Sequence, residues 1–204
     1  MNTWTHAELG EFESDDCRWI QEEFYFKSLE KVFPKSDTTL ELTIEIDETD
    51  YEDLGDDDPL PAPTDEIIAL TVKVVSSLPE LISQGVEALW KDIHGTGISS
   101  SGMWWNNALD EVFASDFGPA KPDDVKGLYA LLEPTGVGVD ASIYKWKGPA
   151  ARITFSSEID EEHGISFLTD GEQIIGLGYT MCVCLNKYVE NHCTFYDIKL
   201  DSSK

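Results

Sequence analysis

The stretch Ile153–Tyr179, ITFSSEIDEEHGISFLTDGEQIIGLGY, restricts the fold more than any other part of this chain. Two alternating runs flank Asp160-Glu161-Glu162-His163-Gly164, and Asp170-Gly171 follows as a second turn signal. Alternating runs joined by short polar turns that contain glycine predict a three-stranded antiparallel meander. A second strand signal lies far upstream, in Thr39–Asp47, TLELTIEID. Its period of two sends Leu40, Leu42, Ile44 and Ile46 inward and leaves Thr39, Glu41, Thr43 and Glu45 facing water. A one-sided strand of this kind belongs to an antiparallel or edge position in a sheet covered on one face. The whole stretch from Trp4 to about Glu48 reads as strands, with Arg18–Phe26 ending in an aromatic run.

The middle of the chain is helical in pattern. Thr64 is an N-cap residue, Asp65 and Glu66 suit a first turn, and Ile67, Ile68, Leu70, Val74 and Val75 recur at helical spacing. A helix is expected over 65–77, broken at Leu78-Pro79, with Pro79 opening a second helix that runs to about Ile93. Met103–Phe117 suits a short helix whose Trp104 and Trp105 belong in a core. Pro122, beside Asp123 and Asp124, opens a helix over 122–132 that stops at Pro134, and a strand follows over Gly136–Trp146. After Tyr179 come an apolar run, Thr180–Leu185, and a weakly alternating Cys193–Leu200. Strands, then helices, then strands predict an α+β fold, a mostly antiparallel sheet with helices packed on one face. Residues 1–204 are expected to form a single domain, with a division into lobes 1–118 and 119–204 left open.

Charge narrows the function. The net charge is −26, and residues 1–66 hold 21 Asp and Glu against 4 Lys and Arg, −17 of that total. A hydrophobic content of 41% still fills a core, so the chain is globular rather than disordered. Binding to a nucleic-acid backbone is disfavoured, whereas a basic protein partner would be attracted and steered. Asp47–Pro63, DETDYEDLGDDDPLPAP, is an acidic, proline-rich connector, and its Glu48, Asp50, Glu52, Asp53, Asp56, Asp57 and Asp58 are the candidate partner-binding residues. The plainer readings are a solvated loop and a general adaptation to high ionic strength. The first residues lack a basic region followed by an apolar one, no run reaches eighteen apolar residues, and the four cysteines suit a reducing compartment. The expected location is cytoplasmic, with no membrane association.

Chemistry-bearing groups are few. Asp160, Glu161, Glu162, His163 and Gly164 concentrate three carboxylates and an imidazole in one turn, a set that can orient a base or bind a metal. Neighbouring turn residues diverge, however, and no HExxH spacing is present. A structural corner explains the turn more simply: Asp160 would cap backbone amides and Gly164 would supply a positive φ. Cys182, Cys184, His192 and Cys193 are ligand types that zinc accepts, but not at a usual spacing. Glu22-Glu23 could form a glycosidase pair only at a separation that sequence does not give. No nucleophile elbow or phosphate loop is found. No catalytic residue, metal or cofactor is therefore expected.

The strands, the acidic connector, the Thr-capped helix pair and the run ITFSSEIDEEHGISF, with its following Asp-Gly and GLG strand, resemble a bacterial domain of unknown function. That family has a D-x-E-H-G turn near its C-terminal end. The resemblance covers 10–180 in element order and Asp160–Gly164 in motif; Trp104-Trp105 and the cysteine-rich tail depart from it. Members look like companions of polymorphic toxin systems. The resemblance therefore implies an immunity-type protein that neutralises a basic toxin or nuclease. The expected function is that of a non-enzymatic acidic binding protein. The alternatives are a metal-dependent or hydrolytic enzyme at the DEEHG turn and an inhibitor that mimics nucleic acid.

Overall fold

A computed structural model describes residues 2–15, 17–47, 58–94, 113–114, 118–141, 148–180 and 193–195. Among the described residues nine strands form one sheet in sequence order: β1 (Thr3–His6), β2 (Gly10–Asp15), β3 (Arg18–Tyr25), β4 (Thr39–Glu45), β5 (Leu132–Asp140), β6 (Ala150–Ser157), β7 (Ile165–Thr169), β8 (Ile174–Gly178) and β9 (Cys193–Phe195). Neighbours are antiparallel except β4 and β5, which are parallel with Glu41 opposite Gly136 and Glu45 opposite Asp140. The fold is α+β with a mostly antiparallel sheet, as the element order predicts. The meander of β6, β7 and β8 lies where the opening stretch places it, with positive φ at Gly164 and Gly171 in its two turns.

The parallel pair corrects the expectation for Thr39–Asp47. β4 is an interior strand, not an edge or an all-antiparallel one. A parallel neighbour requires a long crossover, and here the crossover contains helix α1, Asp65–Ile93. Its inward residues Leu40, Leu42, Ile44 and Ile46 are buried as predicted, but Thr43 is buried too because β5 lies beside it.

α1 is one helix of 29 residues, so the expected break at Leu78-Pro79 does not occur. Pro79 costs one backbone bond and a clash with the preceding turn, roughly 3 kcal/mol. The apolar stripe of Ile67, Leu70, Val74, Leu78, Leu81, Ile82, Val86 and Leu89 keeps its phase through the proline and is buried along its whole length. Burial at about 1.5–3 kcal/mol per large side chain outweighs one lost bond. Thr64 caps the start by accepting from Ile67 N at 3.4 Å. α1 lies mainly against β5–β8. At Gly85 an added Cβ would stand 2.2 Å from the Phe167 ring, so only glycine lets the helix approach β7 this closely.

The predicted helix over 122–132 is instead a 3-10 helix, η2 (Val125–Leu131), capped by Asp124, whose carboxylate accepts from Lys126 N and Gly127 N. Leu132 ends η2 in an extended conformation and opens β5 opposite Ser157 of β6. Pro134 therefore lies inside β5. It is tolerated because β4 pairs only from Gly136 onward and the β5–β6 register shifts between Pro134 and Gly136. A further 3-10 helix, η1 (Lys27–Lys31), follows β3. The expectations for Trp104-Trp105, for residues 142–146 and for Cys182, Cys184 and His192 lie outside the described residues. No helix among the described residues is long and apolar enough to cross a membrane.

Candidate functional site

Alternation within the N-terminal strands sorts their side chains onto two faces. On β2, Phe12 is fully buried, while Glu11, Glu13 and Asp15 point to the opposite, open face. The register carries that face across the sheet: Glu13 stands opposite Ile20, Asp15 opposite Arg18, Arg18 opposite Glu45, and Ile20 opposite Thr43. Between β3 and β4 the pairing passes from Gln21–Leu42 to Phe24–Leu40, so Glu22 and Glu23 together oppose the single residue Glu41. This bulge puts two carboxylates where regular pairing would put one. Glu11, Glu13, Asp15, Glu22 and Glu23 line a groove of about 480 Å³. Carboxylates along β2 repeat every second residue, about 7 Å apart, with neighbouring strands about 4.8 Å away. Arg18 is the cation among them, bound to Asp15 at 2.9 Å.

One edge of this face is buried and paired. Arg152 Nε donates to Asp140 at 2.8 Å, and its Nη2 donates to Asp140 at 2.9 Å and to Glu45 at 2.6 Å. Burial pushes the Asp140 carboxyl up to about 7, the Arg152 guanidinium opposes that rise, and the Glu45 carboxylate adds to it. Desolvation thus exceeds even a bidentate cation. Gly138 makes room for the guanidinium, since a Cβ there would lie 3.2 Å from Arg152 Nη2.

Of the seven connector carboxylates, Asp58 is described and exposed; Glu48, Asp50, Glu52, Asp53, Asp56 and Asp57 lie outside the described residues. Both flanks of the connector return to the start of β3. Ile46 N donates to Cys17 O at 3.0 Å, and the Trp19 indole N–H donates to Pro61 O at 2.9 Å.

The DEEHG turn is a corner between β6 and β7. The Asp160 carboxylate accepts from His163 N at 2.9 Å and lies 3.0 Å from His163 Nδ1, while Gly164 N donates to Asp160 O at 3.0 Å. The His163 ring packs on Tyr179 with centroids 4.7 Å apart, and Gly164 has φ of 63°. Asp160 and His163 therefore meet, but Glu161 and Glu162 are exposed and join neither. Glu161 instead borders a separate cleft of about 650 Å³ with Phe33, Tyr129, Lys35 and Lys126. Among the described residues no three His, Cys, Asp or Glu side chains are grouped to hold a metal ion.

Reading the sequence missed two sets of residues. Glu11, Glu13 and Asp15 were legible as the alternation E-F-E-S-D, whereas the Glu45–Asp140–Arg152 cluster joins three strands and has no local signal. No known family matches the sequence, and neither a curated protein nor a solved structure does.

Proposed function

We propose that this protein is a non-enzymatic binding protein that engages a basic protein partner through the carboxylates of β2, β3 and β4. The observation that supports it is the ordering of Glu11, Glu13, Asp15, Glu22, Glu23 and Glu41 across three strands of one sheet, with Arg18 as the cation among them. Carboxylates on a preformed sheet cost no backbone ordering on binding and steer a positive partner to one face. The connector, both of whose flanks are tied to β3, would add its own negative charge to that encounter.

The specific form of this reading is an immunity-type role against a basic toxin such as a nuclease. Co-expression tests it: growth should be rescued from a basic toxin encoded by a neighbouring gene, and the rescue should be lost when Glu11, Glu13 and Glu22 are changed to Lys. A toxin that kills equally with and without this protein would refute the immunity role.

A second reading, mimicry of nucleic acid, draws on the single-file carboxylates of β2. It predicts that duplex DNA and this protein compete for the same partner site. Partner binding unaffected by DNA would exclude it.

A further inference from the structure

The sheet side that α1 covers over β5–β8 is closed over β1–β3 by a different device, the segment Pro59-Leu60-Pro61-Ala62-Pro63. Proline fixes its own φ near −65° and forces the residue before it into an extended conformation. Prolines at alternate positions therefore drive every residue of this segment toward polyproline II. That helix has three residues per turn and no internal hydrogen bonds, so its carbonyls are left for a partner. Burial follows the three-residue period. Leu60 and Pro63 are buried, Pro59 and Ala62 are exposed, and Pro61 is half-buried.

The surface beneath is aromatic. Trp19 is 2% exposed and Phe12 is fully buried, with the Trp4 ring centroid 6.2 Å from Trp19 and 5.2 Å from Phe12. The Trp19 indole N–H, which burial obliges to find an acceptor, donates to Pro61 O at 2.9 Å. A cavity of about 490 Å³ adjoins the segment, walled by Trp4, Trp19, Asn2 and Thr3. An aromatic-lined groove with a tryptophan N–H aimed at a carbonyl of an extended proline-rich strand is a general solution to recognising polyproline II.

We propose that the Trp4–Trp19 groove is a recognition site for proline-rich segments in the polyproline II conformation, and that Pro59–Pro63 is its resident ligand in cis. The site is on the opposite side of the sheet from the carboxylates and does not rest on their role. A proline-rich segment of another protein enters by displacing the resident strand, against an effective concentration in the millimolar range.

The test uses the full chain and the blocked peptide Pro-Leu-Pro-Ala-Pro. In a Leu60→Ser/Pro61→Gly variant, the Trp19 indole N–H resonance should shift saturably with peptide. The unsubstituted chain should respond at concentrations about tenfold or more higher, because the cis strand competes. Replacing the peptide's prolines with alanine should abolish the shift. A folded variant whose indole signal does not move at millimolar peptide overturns the proposal and leaves the segment a structural cover. Should the variant unfold, the unsubstituted chain decides: an indole signal unmoved by excess peptide overturns the proposal, and a saturable shift upholds it.

Discussion

The open face of the sheet changes character along its width. Over β2–β4 it carries Glu11, Glu13, Asp15, Glu22, Glu23 and Glu41, all exposed, with one cation bound at the surface. Over β5–β8 the same face includes Gly136, Gly138, Ser166, Leu168, Gly176 and Gly178, all buried, and the buried carboxylate of Asp140 is clamped by Arg152, while Glu133 at the start of β5 stays exposed. Both halves belong to one hydrogen-bonded sheet, so backbone pairing does not account for the difference. Solvation does. A carboxylate left in water costs folding little and keeps its field available to a partner, whereas a carboxylate taken out of water needs a dedicated cation. Exposed negative charge is thus concentrated over β2–β4, and the buried carboxylate of β5 is paired.

The sharpest way to break this contrast is to remove the cation. Above pH 7, where Asp140 is ionised, Arg152→Met should lower stability by about 3–5 kcal/mol, because Asp140 and Glu45 would face each other without compensation. A denaturation midpoint within error of the parent at about pH 8 would mean that Arg152 is dispensable.

The next largest effect is on pH dependence. Asp140 has a folded pKa of about 7, above the ordinary carboxylate value near 4. Between those values the folded state holds a proton that the unfolded chain has lost. Its contribution is therefore fully present below about pH 4 and is lost as pH rises through 7, with a slope approaching about 1.4 kcal/mol per pH unit. Urea unfolding from pH 5 to 8 should show stability falling with pH, and Asp140→Asn should flatten that slope. An equal slope in the variant would place the titration elsewhere.

A smaller loss, about 1–2 kcal/mol, is expected for Gly138→Ala. Its Cβ would lie 3.0 Å from Thr43 Oγ1 and 3.2 Å from Arg152 Nη2, and the two ion pairs keep Arg152 from moving aside. Changing Glu11, Glu13 and Glu22 to Gln should alter thermal stability least, within about 0.5 kcal/mol per site, since each is solvated. A large loss from that triple change would show these carboxylates to be structural.

Sequence periodicity revealed what local physics determines. The meander rests on two turns with glycine at positive φ, and β4 on strict alternation, so both were legible. The parallel neighbour of β4 was not, because the pairing partner lies beyond α1, some ninety residues away. Pro79 and Pro134 each misled for one reason: a local breaker was overridden by long-range burial in α1 and by ladder pairing at β5. The acidity of the N-terminal third was visible, but its arrangement on β2–β4 depended on register and on the bulge at Glu22-Glu23. The DEEHG turn, the densest titratable motif, is a capped corner in which the Asp160 carboxylate accepts from the His163 amide.

If the β2–β4 carboxylates bring in a basic partner, as proposed, the association rate of that partner depends on them most directly. A basic protein captured from the native cell should associate with the parent chain at a rate that falls steeply with salt. The Glu11→Lys/Glu13→Lys/Glu22→Lys variant, with its fold intact, should be slower at low salt by about 10-fold or more and nearly insensitive to salt. Equal rates and equal salt dependence for the two proteins would show that these carboxylates do not steer the partner.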